Sequence, residues 1–299
     1  MKVSVVMATY NGEKYLEQQI QSILTQTLKP DEIIVCDDVS TDGTIAILKK
    51  YQQQGQLTYV VNDHRLGFID NFKKAVALAA DTNYVSLSDQ DDEWLPDKLE
   101  RSVALLQKID NSKIPCLVYT DLMWIDQDQK ILNSSFLNVV GQDKYQHNLQ
   151  TLLFGNLVTG CTTLMNPALK RLFAEIPNDI YFHDAWMAFM AFTFGRAECV
   201  KLPLVKYRKH ENNVSISADA KTRNRYRSMM NEILKYLKGK DDFLAVQLET
   251  AHKFYDHYCI EMTPIIRQHF EQFLTLEHKN YFFKKLAYRR VVKKFRIKF

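Results

Sequence analysis

The chain has 299 residues, 46% of them apolar and 25% charged, with 39 Lys and Arg against 35 Asp and Glu for a net charge of +4. Those values belong to a soluble globular protein and exclude a disordered or collagen-like chain. The length fits one large domain, or one domain with an appendage, and can bury about three-quarters of the unfolded surface without staples.

The charge is uneven. Residues 279–299 carry nine Lys and Arg and no Asp or Glu, which leaves −5 of the +4 total for the rest. An acidic body with a basic end is unlike the uniformly basic surface of a nucleic-acid coat. The five cysteines, Cys36, Cys116, Cys161, Cys199 and Cys259, are odd in number and widely spaced, with no CxxC or CxxH. Neither a disulfide framework nor a zinc knuckle is expected, and a reducing cytoplasm is the simplest compartment. Met1-Lys2 leads into a short apolar run and then polar residues, so no signal peptide is expected. The most apolar window, Ala185–Phe194, falls short of the roughly 20 residues that span a bilayer.

In chain order, Val3–Met7 reads as a buried parallel strand, and Leu16, Ile20, Ile23 and Leu24 recur at helical spacing. Ile33–Cys36 is a second strand, Thr44–Leu48 opens a helix, and Leu57–Val61 is a third strand. Phe72–Ala80 is helical and Tyr84–Leu87 a fourth strand. This alternation predicts a mostly parallel α/β sheet with right-handed crossovers. Further on, Cys116–Thr120 and Leu157–Met165 read as strands, Asp184–Phe194 as a buried helix, and Val200–Tyr207 as an edge strand, a reading that Pro203 weakens. Two helical stripes follow, Tyr226–Leu237 and Phe243–Tyr255, giving a helical C-terminal appendage.

Polar residues follow three strand ends: Thr9-Tyr10-Asn11, Asp37-Asp38, and Ser88-Asp89-Gln90-Asp91-Asp92. Ligands of open α/β sheets bind at that edge. Three carboxylates in the four residues 89–92 repel one another unless neutralised. Mg²⁺ or Mn²⁺ would do so; a solvated acidic turn before a helix opened by Pro96 is the plainer alternative. Asp37 or Asp38 could accept from a base N–H or a ribose hydroxyl, or Asp38 or Ser40 could cap a helix near Thr41. Neither GxGxxG nor GxxxxGK[ST] is present, so a nucleotide would be held by side chains and a metal. Asp184 could cap the buried helix or act as a general base, with His183 orienting it or meeting phosphate. The run from Lys206 to His210 could face a diphosphate or be a surface charge run.

Taken together, these residues resemble family 2 glycosyltransferases. The opening block is Val3–Gly12 with Leu16, Ile20, Ser22–Leu24 and Gln26-Thr27, and the second is Glu32–Thr44, in which Val39 stands where Gly or Asn is usual. Asn62–Gly67 with Asn71 form a third block; Ser88–Pro96 resembles the DxD block in the form seen in rhamnosyltransferase-like surface-polysaccharide enzymes. Phe182-His183-Asp184 and Tyr207–Asn213 resemble the last two, so the likeness covers about residues 1–216.

The resemblance implies a GT-A, Rossmann-like catalytic domain over 1–216, with 217–299 as the helical region. It implies inverting transfer of a sugar from a nucleotide-diphospho-sugar, UDP-hexose or dTDP-rhamnose, to a glycan acceptor, in bacterial surface-polysaccharide biosynthesis. Asp184 would be the base. Ala8, Thr9, Tyr10, Asn11, Glu13, Asp38, Arg65, Gly67, Asn71, Asp89 and Gln90 would surround the donor. Asp91, with Asp89, would bind Mn²⁺ or Mg²⁺; His183, Arg208 and His210 would contact phosphate or acceptor. A metal-dependent nucleotidyltransferase, a sugar-nucleotide hydrolase and an inactive sugar- or lipid-binding scaffold are the competing functions.

In residues 279–299, Phe282, Phe283, Leu286, Val291, Val292, Phe295, Ile297 and Phe299 are interleaved with the cations. That pattern suits peripheral contact with an anionic membrane, at the inner face of the cell membrane if the acceptor is lipid-linked. A solvated terminal helix is the plainer alternative, and no nucleic-acid-binding motif accompanies the charge.

Overall fold

The computed structural model describes residues 2–210 and 243–297. The expected stripe from Tyr226 to Leu237 lies outside the described residues. The chain divides into two compact units, Met1–Leu137 with Val158–Glu211, and Asn138–Leu157 with Asn212–Phe299. The segment Asn138–Leu157, within the first domain by sequence, thus groups with the C-terminal helices.

The first unit begins with β1 (Val3–Thr9), α1 (Leu16–Leu24), β2 (Glu32–Asp37), α2 (Thr44–Gln53), β3 (Thr58–Val61), α3 (Phe68–Leu78) and β4 (Tyr84–Ser88). The sheet continues with β5 (Glu93–Trp94), β6 (Cys116–Ile125), β7 (Ile131–Asn133), β8 (Leu164–Met165) and β9 (Arg196–Arg208). Strand order is β3-β2-β1-β4-β8-β6-β9-β5, with β7 paired to β6. Val5, Val6 and Met7 are fully buried, as expected of a parallel strand covered on both faces. Parallel register sets Thr9 beside Asp37 and Met7 beside Ser88. The carboxyl ends of β1, β2 and β4 therefore finish level, and the three polar segments that follow share one edge.

The remaining helices are α4 (Lys98–Ile109), α5 (Phe136–Val140), α6 (Leu149–Leu153), α7 (Pro167–Phe173), α8 (His183–Phe194), α9 (Ala245–Tyr258), α10 (Pro264–Leu274) and α11 (Tyr281–Lys294). Helix α8 is apolar around its circumference, and Trp186, Met187, Ala188 and Ala191 are fully buried, as a helix without a polar face must be. In the second unit, Phe254 stacks on Phe270 with centroids 5.7 Å apart, and Phe154 meets Phe273 edge-on at 5.0 Å. Thr263 and Asn280 cap α10 and α11 through their side chains.

Three expectations change. Pro96 does not open α4, which starts at Lys98. Most of Leu157–Met165 is not a strand: Gly160–Thr162 forms a 3-10 turn, held by Thr162 Oγ1 and Thr163 Oγ1 donating to Thr159 O and Gly160 O, each at 2.7 Å. Only Leu164-Met165 pairs, antiparallel to both β4 and β6. Strand β9 is not an edge; it lies between β6 and β5, and Pro203 is accommodated where the β6–β9 register shifts near Asp121.

Gly195 joins α8 to β9. A Cβ there would lie 1.8 Å from the Pro115 carbonyl oxygen, so the constraint is space rather than backbone dihedral. Gly195→Ala is expected to destabilise the protein by about 2 kcal/mol or more. An unchanged urea midpoint would contradict this packing.

Candidate active site

The loops after β1 and β2 are tied to each other and to the acidic turn. The Gln90 side chain accepts from Tyr10 N at 2.9 Å and donates to Tyr10 O at 3.0 Å. Asn11 Oδ1 accepts from Thr41 N at 2.8 Å, and Glu13 Oε2 from Gly43 N at 2.9 Å. Thr9 Oγ1 and Ser40 N both donate to Asp37 at 2.8 Å. Asp42, rather than Asp38 or Ser40, serves the start of α2 by accepting from Thr44 N at 3.0 Å. Val39 adopts φ +66°, a left-handed conformation that Gly or Asn takes at lower cost, which accounts for the residues usual at that position.

Asp38 organises the next loop. It is 3% exposed; its Oδ1 accepts from Leu66 N at 2.6 Å and Asn62 Nδ2 at 3.0 Å, and its Oδ2 from Gly67 N at 2.9 Å. A carboxylate has about four lone-pair sites, so most of its accepting capacity holds residues 62–67 in place. Asn62 Nδ2 also donates to Asn71 Oδ1, and Asn71 Nδ2 to Cys36 O, each at 2.9 Å. Gly67, at φ +83°, turns the chain into α3. The Arg65 guanidinium then sits 3.8 Å over the Tyr10 ring. Asp38, Arg65, Gly67 and Asn71 thus form one network bordering Tyr10.

The acidic turn is held from β9. Glu93 pairs with Lys206 in the ladder and by a 2.6 Å ion pair. This brings His210 Nε2 to 2.7 Å from Asp91 Oδ2, and the His210 ring to 5.4 Å from Tyr15. Arg208, expected at phosphate or acceptor, is 1% exposed and directed inward. Its backbone N–H donates to Asp92 Oδ1 at 3.2 Å, Nε to Asp91 O at 3.0 Å, and a terminal nitrogen to Gln18 Oε1 at 2.6 Å. It fastens the turn to α1 instead of reaching a ligand.

Burial and the charges of Asp91 and Asp184 push the Asp89 carboxyl up to about 7. Asp184 comes from α8 and accepts from Gly160 N at 3.2 Å, so it reaches across to the 3-10 turn rather than capping its own helix. His183 beside it is buried among Phe72, Phe173 and Phe68, at ring separations of 4.9, 5.8 and 6.0 Å. Neither ring nitrogen makes a hydrogen bond among the described residues, and burial pushes its pKa down to about 4. His183 is therefore a neutral wall rather than a cationic phosphate contact.

Asp92, read from the sequence only as one of the three carboxylates of the turn, is joined in the structure by Cys161 and Lys98, which the sequence did not single out. Ligand atoms of Asp89, Asp92 and Cys161 lie within 4.8 Å of one another. Asp92 Oδ2 is buried with no ordinary hydrogen-bond partner among the described residues. Burial, followed by the charges of Asp91 and Asp89, holds the Asp92 carboxyl well above the usual range, and burial also raises the Cys161 thiol. Lys98 is fully buried, donates to Ser86 Oγ at 3.0 Å and lies 3.5 Å over the Trp94 ring. Burial brings its pKa down to about 7. Lys98 lies two residues beyond the Ser88–Pro96 block, where its neighbours could have drawn attention to it. Nothing local marks Cys161, because the 3-10 turn delivers it.

The His183 environment makes stability depend on pH. The unfolded chain takes up a proton at His183 as pH falls through 6.5, whereas the folded chain withholds it until about 4. The folded state therefore loses stability as pH falls between those values, with no such loss above 6.5. His183→Leu is expected to flatten the urea midpoint across that window. A slope identical to that of the parent would contradict the assignment.

The chain resembles known proteins in sequence and in fold. The Glycosyl transferase family 2 model matches residues 4–173. The dTDP-rhamnosyl transferase RfbG of Shigella flexneri is 30% identical over 271 residues, covering 81% of this chain and 88% of its own. TuaG of Bacillus subtilis, whose name assigns it to teichuronic acid biosynthesis, is 29% identical over 223 residues, covering 71% and 81%. The mannosyltransferase PcManGT of Pyrobaculum calidifontis, solved with GDP-Man and Mn²⁺, aligns with a TM-score of 0.53 at 17% identity over 98% of this chain and 80% of its own. The catalytic fold is GT-A, and the chain is a member of glycosyl transferase family 2.

Proposed function

We propose that the protein transfers a sugar, with inversion, from a nucleotide-diphospho-sugar to a glycan acceptor of surface-polysaccharide synthesis. The observation that carries this reading is that the 3-10 turn whose Gly160 N–H donates to Asp184 Oδ2 at 3.2 Å also sets Cys161 within 4.8 Å of the Asp89 and Asp92 carboxylates, so one turn brings Asp184 of α8 toward the acidic turn after β4. An acceptor hydroxyl held at Asp184 gives its proton to that carboxylate as its oxygen attacks the anomeric carbon. The bond to the diphosphate breaks with its electron pair on the leaving oxygen. One base suffices, and no covalent sugar–enzyme bond is required.

Asp91, with Asp89 beside it, has the hard oxygen donors that suit Mn²⁺ or Mg²⁺. A cation held there would offset the mutual repulsion of the acidic turn. The Asp89–Asp92–Cys161 group fits such an ion less well, because its thiol is soft and held protonated by burial. A bound metal would supply positive charge to the diphosphate. Arg65 and Tyr10 border the donor's nucleoside, with Asp38 shaping the loop that presents Arg65. RfbG's name favours dTDP-rhamnose as the first donor to test, and TuaG's name favours a surface polymer as acceptor.

The test is a panel of dTDP-rhamnose, UDP-glucose and GDP-mannose, with Mn²⁺ or EDTA. Asp91→Ala should lose metal-dependent donor binding by roughly tenfold or more, the worth of a charge-assisted contact. Asp184→Asn should bind donor normally while turnover falls by roughly 10²–10⁴. Unchanged turnover in Asp184→Asn, or binding indifferent to EDTA, would contradict the reading.

The basic C-terminal segment brings the enzyme to an anionic membrane at the inner face, where a lipid-linked acceptor would lie. In α11 the buried residues are Tyr281 and Lys284, while Phe283, Leu286, Arg289, Arg290 and Lys293 are exposed. Each basic residue near an anionic surface contributes roughly 1 kcal/mol. No described helix is long and apolar enough to cross a membrane. Flotation with phosphatidylglycerol vesicles should recover the parent protein but not an Arg289→Ala/Arg290→Ala/Lys293→Ala variant. Equal recovery of both would overturn the membrane contact.

A further inference from the structure

We propose that Gly160 and His183 form a rigid seat that aims the Asp184 carboxylate, which makes both of them positioning residues for transfer. The proposal rests on the reading of Asp184 as the base. Gly160 N donates to Asp184 Oδ2 at 3.2 Å, and Gly160 O accepts from Thr163 N at 3.1 Å and Thr163 Oγ1 at 2.7 Å. Both peptide groups flanking Gly160 are therefore engaged. The turn is fastened in turn to β4: Ser86 Oγ donates to Thr163 O at 2.7 Å, and Leu164 pairs with Ser86 in the ladder. Strand β4 also leads into the acidic turn. One strand thus sets the position of the metal-side carboxylates and, through the 3-10 turn, the direction of the base.

His183 closes the other side of the seat. A Cβ on Gly160 would lie 3.0 Å from His183 Nε2 and 3.9 Å from Asp184 Cβ. The imidazole is wedged against Phe68, Phe72 and Phe173 and makes no hydrogen bond among the described residues, so packing alone places it. Three aromatic rings therefore stand behind it. A methyl group at position 160 would sit tighter than ordinary contact, and with three rings behind the imidazole the turn yields by a few tenths of an ångström, which lengthens the amide–carboxylate bond. The glycine is required by this close approach to the wedge, and it lets a backbone amide, which cannot rotate as a side chain can, hold the base.

The experiment compares Gly160→Ala, His183→Ala and the double variant in the full chain. Nucleoside diphosphate release from dTDP-rhamnose, UDP-glucose and GDP-mannose with Mn²⁺ is followed, alongside urea midpoints. Gly160→Ala should lower kcat by roughly 10- to 100-fold, the worth of a hydrogen bond to a charged group, with donor KM within about twofold. Removing the wedge makes room for the methyl group. The double variant should therefore be faster, and unfold at higher urea, than Gly160→Ala alone. Parental kcat in Gly160→Ala, a change in KM in place of kcat, or a double variant no better than Gly160→Ala in rate or midpoint would overturn the proposal. The midpoint comparison decides the steric half whichever donor is used. Asp184→Asn separates the two readings: if it turns over normally the base assignment falls, whereas if it is inactive while Gly160→Ala is fully active only the seat falls.

Discussion

Carboxylates gathered at one edge of a sheet repel one another, and much of the catalytic unit is arranged around holding Asp89, Asp91, Asp92 and Asp184 there. Each is handled differently. Asp92 is taken into the interior against the Arg208 amide, with Lys98 beneath the turn. Asp91 is paired with His210. Asp184 is turned toward the Gly160 amide. Burial first, and then the charges of Asp91 and Asp184, raise the Asp89 carboxyl. A divalent cation at the turn, as proposed, would offset that repulsion.

The supports for this arrangement come from well-separated parts of the chain. Arg208, at the end of the last strand, spends its guanidinium on α1 and on the acidic turn. Strand β4 carries the turn directly and, through Ser86 and Thr163, steadies the 3-10 turn that meets Asp184. The network around Tyr10 is more local. Asp38, Asn62 and Asn71 lock one loop so that Arg65 stacks on Tyr10, and Gln90 clips Tyr10 to the turn.

Much of this was legible in the sequence because it depends on short-range pattern. The apolar run Val3–Met7 and the stripe Leu16–Leu24 become β1 and α1 with nearly the expected bounds. Level strand ends follow from parallel register, which is why Tyr10, Asp38 and Asp89 could be assigned to one edge. Side-chain direction was not legible. Arg208 read as a phosphate contact because its neighbours are basic, yet long-range pairing of β9 with β5 and β6 turns it inward. His183 read the same way until three phenylalanines closed around it. Leu157–Met165 looked like a strand because threonines and aliphatics favour strands, but their hydroxyls close a 3-10 turn instead, and that turn brings Cys161 and Gly160 to the site.

The central claim is that the acidic turn binds a divalent metal through Asp91, with the buried Asp92–Cys161 side left to structure. Anomalous diffraction from crystals soaked with Mn²⁺ and a nucleoside diphosphate tests it most directly. The account predicts a manganese peak on the Asp91 carboxylate, beside Asp89. A peak centred between Asp92 and Cys161, or none at the turn at full nucleotide occupancy, would contradict it.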